Sequence, residues 1–221
     1  MHAAGWTGTT AQSKAAVPAV DPAFDQIACI RLEASGQAWA GLQNRLKQIC
    51  LTDRVMDVSP DPALVERRVV VALSHRVALR KAFEFGSRFM LVLEDHCLLL
   101  ADTADRLRPV LIEWGRTEAG LLYLGNAAYG GQLASVGKYP HLRRGHAEGC
   151  FAVGYSRPAM ERLLSEMPAR APQMSDWIAQ WGSFDRYLAS QPDRVLAHPR
   201  LATSIHLLPY EDPALRGQYL P

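Results

Sequence analysis

Phe89-Met-Leu-Val-Leu93 is the stretch that decides the fold, because five consecutive apolar residues are followed at once by Glu94-Asp95-His96. An unbroken apolar run of this length predicts a strand that is covered on both faces, as in the centre of a sheet flanked by helices. In such sheets, ligands bind beyond the carboxyl ends of the strands. The three polar residues therefore follow the strand at the place where a binding site is expected.

Strands and helices alternate on either side of this central run. Strands are predicted at 27–32, 54–58, 120–124, 150–155 and 194–197, and helices at 37–51, 61–86, 107–114, 156–167, around 177 and at 184–190. Residues 126–149, rich in Gly and Pro, are predicted to form a loop. The alternation predicts an α/β fold with a largely parallel central sheet and helices on both faces.

Length and composition predict one folded domain. A chain of 221 residues can bury one sizeable core, so we expect a flexible N-terminal tail at 1–24, a single domain at 25–200 and an irregular C-terminal segment at 201–221 that packs on it. The formal net charge of +2 gives no global field for nucleic acid. The cysteines lack metal or disulfide spacing, and no apolar stretch approaches the length of a membrane span. These features predict a cytoplasmic protein.

The acidic triplet has two interpretations that the sequence alone leaves open. Two carboxylates with a nearby imidazole can hold a divalent metal that bridges a diphosphate and acts as a Lewis acid. The same Glu94-Asp95 pair can also be a strand end whose side chains cap the following turn. Because unpaired carboxylates are costly to bury, both interpretations require a cation, a ligand hydroxyl or backbone donors beside them.

A longer block of sequence around the triplet resembles glycosyltransferase family 25, which includes galactosyltransferases of lipopolysaccharide biosynthesis and of collagen. The block consists of Ala72-Leu-Ser-His-Arg-Val-Ala-Leu-Arg-Lys-Ala82, then Gly86, then Leu91-Val-Leu-Glu-Asp-His96. Weaker similarities follow in order: Leu122-Tyr-Leu-Gly125, Val153-Gly-Tyr-Ser-Arg-Pro-Ala159 and Phe184-Asp-Arg-Tyr-Leu188. Together they cover roughly residues 27–200.

The resemblance implies a GT-A-like domain that moves a hexose, typically galactose, from a UDP-sugar to a hydroxyl of a glycan acceptor. It implies Mn²⁺ as the cofactor, lipopolysaccharide or another surface glycan as the product, and peripheral contact with a membrane-bound acceptor at the inner membrane. By the same resemblance, one group of residues would bind the donor: Ser74, His75, Glu94 and Asp95. A second group would offer metal ligands: Asp95, His96, His198 and His206.

Inverting transfer also needs a carboxylate that takes the proton of the acceptor hydroxyl. Asp185 matches an aspartate of the family and is the first candidate, with Asp176 as its competitor. Each candidate also has a structural interpretation: Asp185 follows Gly182-Ser183-Phe184 and could be a helix N-cap, His75 shares a helical face with apolar residues, and His198 and His206 could be packed side chains.

The sequence departs from the family pattern in ways that predict weaker metal binding. His96 stands where the family has a second aspartate, the turn at 32–37 lacks a basic residue, and Val70-Val71 replace a common Gly-Cys. A nitrogen ligand suits Mn²⁺ better than Mg²⁺, which prefers oxygen. These departures favour an alternative function, a catalytically silent GT-A-like module that binds a glycan or a partner. A dinucleotide-binding enzyme is disfavoured because the first strand has no Gly-x-Gly-x-x-Gly after it.

Overall fold

The structure is a computed structural model that describes residues 24–32, 36–48, 55–59, 66–127 and 132–210. The strands are β1 (Gln26–Ile30), β2 (Val55–Val58), β3 (Phe89–Glu94), β4 (Cys97–Leu99), β5 (Leu121–Tyr123), β6 (Ala134–Val136), β7 (Tyr139–Arg144), β8 (Ala152–Ser156), β9 (Arg194–Ala197) and β10 (Ala202–Ser204). The helices are α1 (Gly36–Gln48), α2 (Arg67–Glu84), α3 (Thr103–Trp114), α4 (Arg157–Glu166), α5 (Ala171–Trp181), α6 (Phe184–Ser190) and a 3-10 helix (Ile205–Tyr210).

One large mixed sheet organises the described part of the chain. Its eight strands lie in the order β2-β1-β3-β8-β5-β9-β7-β6, while β4 and β10 form a separate antiparallel pair. The pairings make β8 and β7 antiparallel to their neighbours, so the other six strands of this sheet run in one direction. The predicted α/β fold with a largely parallel central sheet is therefore confirmed.

The predicted helical cover on both faces is also confirmed, and β3 shows it best. Met90 and Val92 pack on one side in a core that includes the buried faces of α2, α4, α5 and α6. Leu91 and Leu93 pack on the other side with α1 and α3. Because side chains alternate along a strand, an uninterrupted apolar run supplies both cores at once. Each fully buried side chain of this kind contributes about 1.5–3 kcal/mol.

Helix boundaries follow local capping chemistry. Ser156 caps α4 as expected, since its Oγ accepts a hydrogen bond from the backbone N–H of Ala159 at 3.4 Å. The predicted start of α2 near residue 61 is wrong, because Glu66 has extended backbone angles and the helix begins at Arg67. Residues 60–65 lie outside the described ranges. The predicted end of this helix at Gly86 is confirmed by its φ of 77°.

Within the predicted loop at 126–149, residues 134–144 form a hairpin at the sheet edge, and residues 128–131 lie outside the described ranges. Strands β6 and β7 pair on either side of Gly137, whose φ of 52° is a left-handed conformation that glycine adopts readily. Leu142 of β7 is fully buried and pairs with Ala197 of β9, which attaches the hairpin to the sheet. The sequence pattern does not predict the burial of Leu142, because most of its neighbours in β7 are polar.

The sequence predicts a flexible tail at 1–24 and an irregular C-terminal segment at 201–221. Residues 202–204 instead form β10, which pairs with β4 and is followed by the 3-10 helix. Residues 1–23 and 211–221 lie outside the described ranges. Within those ranges, no helix has both the length and the apolar character that crossing a membrane requires.

Candidate active site at the end of the central strand

The central strand delivers its acidic residues to the edge of the sheet where the parallel strands end. β1, β3, β5 and β9 all terminate at this edge. Glu94 is the last residue of β3, and Asp95-His96 form a tight turn into β4. The prediction that the triplet lies at a strand end of the sheet is thus confirmed.

Glu94 points inward and is held by three side chains. It continues the alternation of Met90 and Val92, so it faces α2 and the core on that side. Its Oε1 lies 3.3 Å from Nε2 of His75 and accepts a hydrogen bond from the Cys150 thiol at 2.9 Å. Its Oε2 lies 3.2 Å from Nε2 of His96. A carboxylate that is only 5% exposed is thereby fully surrounded by partners.

These partners determine the charge of Glu94. Burial is the largest single influence and by itself raises the pKa of Glu94, but the hydrogen bond from His75, the charges of His75 and His96 and the Cys150 thiol together outweigh it. The pKa of Glu94 therefore lies below its ordinary value. The cluster keeps an anion inside the protein, next to two imidazoles.

Asp95 and His96 form the outer part of the same group. Asp95 is fully buried, and its Oδ2 accepts a hydrogen bond from the backbone N–H of Leu32 at 3.0 Å. This bond links Asp95 to the chain just after β1, 63 residues away, and does not cap the turn that follows β3. Nδ1 of His96 lies 3.7 Å from Oδ1 of Asp95, and its ring contacts that of His206 with centroids 4.8 Å apart. Three of the four predicted metal ligands, Asp95, His96 and His206, therefore lie close to one another.

His75 and Ser74 lie on α2, where the resemblance placed part of the donor site. His75 is completely buried, and its Nδ1 lies 3.1 Å from the hydroxyl of Tyr155. Its ring also contacts Phe184 at 4.8 Å between centroids. Ser74 is buried beside it on the helix. His75 is therefore packed in the core and also bonded to the acidic cluster, and its role in donor binding stays a prediction.

The two candidate bases occupy different environments. Asp185 is half-buried beside Cys150; burial raises its pKa most, and the nearby charge of Glu94 raises it further, against the opposing effects of the Cys150 hydrogen bonds and His75. The interpretation of Asp185 as an N-cap is wrong, because Ser183 caps α6 and accepts from the backbone N–H of Arg186. Asp176 is exposed on α5.

A group of possible metal ligands differs from the predicted set. Among the described residues, His75, Glu94 and Cys150 each offer a ligand atom, and these atoms lie within 4.8 Å of one another. Cys150 was missed as a site residue. It lies 56 residues from Glu94, and the antiparallel pairing of β3 with β8 brings the two together. No local sequence signal marks it.

His198 lies in a cleft of about 270 Å³ at the ends of β5 and β9. The cleft is lined in part by Tyr123, Asn126, His146, His198 and Arg200. Burial lowers the pKa of His198, and the charges of Arg143 and Arg106 lower it further. The predicted ligands are therefore divided: His206 contacts His96, whereas His198 belongs to this cleft.

Comparisons with known proteins support the fold. No protein-family model matches the chain, and no curated protein matches its sequence. A glycosyltransferase involved in the glycosylation of the major capsid of PBCV-1 is similar in structure, with a TM-score of 0.52 and 10% identity over 81% of this chain and 92% of that one. Mannose-1-phosphate geranyltransferase from Thermus thermophilus superposes with a TM-score of 0.44 and 12% identity over 81% of this chain and 76% of that one, which is too low to add weight. Membership of family 25 is not confirmed, and the chain has the mixed α/β fold of GT-A-type glycosyltransferases.

Proposed function

We propose that the protein is a glycosyltransferase that moves a hexose from a UDP-sugar to a hydroxyl of a glycan acceptor. The observation that carries this proposal is the position of Glu94-Asp95-His96 at the end of the central strand of a GT-A-type sheet. Ligands of open α/β sheets bind at that edge. Galactose as the sugar and a lipopolysaccharide-type acceptor at the inner membrane rest on the sequence resemblance alone.

The outer face of the triplet is the proposed donor site. Oδ1 of Asp95 and Nδ1 of His96 are 3.7 Å apart, and Nδ1 of His96 has no hydrogen-bond partner among the described residues. One carboxylate oxygen and one imidazole nitrogen form a partial donor set that fits Mn²⁺ when a diphosphate supplies further oxygens. When bound, Mn²⁺ would stabilise the departing nucleoside diphosphate. Glu94 would hold His96 in place through the contact between its Oε2 and Nε2 of His96.

Asp185 is the proposed base for inverting transfer. A group whose pKa is raised by burial holds a proton more tightly, which suits a carboxylate that must take one from an acceptor hydroxyl near neutral pH. Asp185 is half-buried and adjacent to the cluster through Cys150, whereas Asp176 is exposed on α5. The cleft that contains His198 lies at the same sheet edge and is the proposed site of the acceptor.

Calorimetric titration with UDP and common UDP-hexoses, with and without Mn²⁺, tests the proposal. We expect saturable binding that strengthens with Mn²⁺, and slow hydrolysis of the preferred donor. Asp95→Asn should weaken the Mn²⁺-dependent part of binding at least about tenfold, because a ligand charge is lost. Asp102→Asn is the matched control, since Asp102 pairs with Arg106 on the surface. Absence of binding to every common sugar nucleotide, in both metal conditions, would rule the proposal out.

A second function, a silent GT-A-like binding module, is favoured by the burial of the acids. Glu94 and Asp95 already have internal partners, as a purely structural cluster would. Such a module should bind nucleotide weakly and show the same nucleotide affinity after Glu94→Ala. Titration of this variant against the wild type separates the two functions, provided that circular dichroism shows both proteins folded.

A further inference from the structure

The inward face of the strand end carries a cluster in which His75 and Cys150 have no role in the proposed sugar transfer, and Glu94 is shared with it. We propose that His75, Glu94 and Cys150 form a buried Zn²⁺ site, with one nitrogen, one oxygen and one sulfur ligand. The three residues come from α2, from the end of β3 and from the residue two before β8. All three are at least nine-tenths buried, so the site lies inside the protein and behind the proposed donor site.

Two of the three ligand-atom separations are close to those of a metal site, and all three atoms lie within 4.8 Å of one another. Tetrahedral Zn²⁺ with bonds of about 2.0–2.2 Å to nitrogen and oxygen and about 2.3 Å to sulfur places its ligand atoms roughly 3.3–3.6 Å apart. Nε2 of His75 lies 3.3 Å from Oε1 of Glu94, which already matches. Sγ of Cys150 lies 2.9 Å from the same oxygen and must move outward by about 0.6 Å to reach that geometry.

Tyr155 prepares the imidazole of His75 for this role. The Tyr155 hydroxyl lies 3.1 Å from Nδ1 of His75 and can accept a hydrogen bond from it. A metal-bound histidine usually donates its other ring N–H to such a partner, which fixes the tautomer and the ring orientation. When Zn²⁺ binds, Nε2 gives up the proton that it donates to Glu94 in the metal-free protein, and Nδ1 keeps its proton for Tyr155. Phe184 packs against the ring and limits its rotation.

The thiol of the cluster and the neighbouring Asp185 complete the proposed site. In the metal-free protein the Cys150 thiol donates to Oε1 of Glu94 at 2.9 Å, so this sulfur carries a proton before the ion binds. Binding of Zn²⁺ would release two protons to solvent, because the S–H bond of Cys150 and the Nε2–H bond of His75 break as the Zn–S and Zn–N bonds form. Oδ1 of Asp185 is buried and has no hydrogen-bond partner among the described residues. It can accept from a water molecule that fills the fourth position on the ion.

The mixed donor set selects the metal. A thiolate with imidazole and carboxylate suits Zn²⁺, whereas Mn²⁺ and Mg²⁺ favour sites built of oxygen ligands. The proposed site is therefore distinct in position and in chemistry from a Mn²⁺ site at Asp95 and His96. The two sites share Glu94, but the test of this one measures Zn²⁺ content without a sugar nucleotide, so the two proposals can fail separately.

Metal content and spectroscopy of the full chain test the site. The protein is stripped with a chelator, loaded with Zn²⁺ or Co²⁺, and separated from free metal by gel filtration. We expect about one Zn²⁺ per chain in the wild type and retention of little Mn²⁺. Co²⁺ should give a thiolate-to-metal charge-transfer band. X-ray absorption of the Zn²⁺ form should show one sulfur at about 2.3 Å and a shell of nitrogen and oxygen at about 2.0–2.2 Å.

Two cysteine variants identify the ligand. Cys150→Ala should lose the charge-transfer band and at least about tenfold in Zn²⁺ affinity, while Cys29→Ala, which alters an equally buried thiol of β1 on the opposite face, should keep both. A wild-type chain that retains no Zn²⁺, or a metal shell with no sulfur or with two, would overturn the proposal. A band that persists in Cys150→Ala would do the same. If Cys150→Ala does not fold, the wild-type sulfur count decides.

Discussion

Replacement of Glu94 by glutamine tests whether a buried carboxylate is held in ionised form by its neighbours. The substitution keeps the shape of the side chain and removes its charge. Glu94 contacts the ring nitrogens of His75 at 3.3 Å and His96 at 3.2 Å, and accepts from the Cys150 thiol at 2.9 Å. We expect Glu94→Gln to destabilise the protein near neutral pH.

The magnitude follows from the two histidine contacts. A hydrogen bond to a charged group contributes about 1.5–3 kcal/mol and a neutral one about 0.5–1.5 kcal/mol, so each contact loses roughly 1–1.5 kcal/mol when the charge is removed. A neutral amide avoids part of the cost of burying a carboxylate, which places the net loss near the lower end, at about 2 kcal/mol. For a chain of this size, that loss lowers the melting temperature by about 4–8 °C.

The assay is urea unfolding of wild type and variant in the presence of a chelator, at several pH values. Because the pKa of Glu94 in the folded protein is lower than in the unfolded chain, its ionisation stabilises the fold above the unfolded pKa of about 4.3. That contribution is lost as the pH falls through the folded pKa. The difference in the free energy of unfolding between wild type and Glu94→Gln should therefore be largest at pH 7 and should shrink below about pH 4.

Glu148→Gln is the matched control, because Glu148 also pairs with a histidine, at 2.8 Å from His146, but on the surface. An exposed pair contributes about 0–1 kcal/mol, so this variant should change stability little. If Glu94→Gln is as stable as the wild type at pH 7, the carboxylate is not held as an anion and our account of the cluster is wrong.

Three further substitutions test a close backbone approach, a helix cap and the core packing of the fold. Gly125→Ala should lower stability by about 2–3 kcal/mol in thermal unfolding, because a new Cβ would lie 2.3 Å from the carbonyl oxygen of Ala202. Ser183→Ala should cost about 1 kcal/mol in urea unfolding, since its side chain caps α6 at the N–H of Arg186. Leu163→Ala should cost about 2–5 kcal/mol by the same measurement, because this side chain is completely buried in α4.

Matched variants show what would contradict these three expectations. Gly36→Ala should be tolerated, since a Cβ there meets nothing within 4 Å, and equal losses at positions 36 and 125 would refute the steric account. Asp185→Asn should change stability less than Ser183→Ala if Ser183 is the cap. Leu164→Ala, at a partly buried neighbour, should cost less than Leu163→Ala, and the reverse order would contradict the assigned helix face.

The sequence by itself determined the layered architecture and the edge of the sheet at which the candidate site lies. The five apolar residues of β3 are buried only if helices cover both faces of the sheet. A polar triplet directly after them must therefore lie at the edge of the sheet where the strand ends. Ser156 followed by a proline in the next helix was sufficient to place the start of α4. These features are local, because residues adjacent in sequence produce them and no distant partner is required.

Only the tertiary structure decided which groups meet at that edge. Cys150 reaches Glu94 because β8 inserts antiparallel between β3 and β5, with Leu93 opposite Ala152. The hairpin at 134–144 likewise exists through its pairing with β9, although its own strand β7 is mostly polar. Strand order and register are set by the combined burial of both cores. Side chains 19 and 56 residues away from Glu94 therefore become its partners for reasons that no local pattern contains.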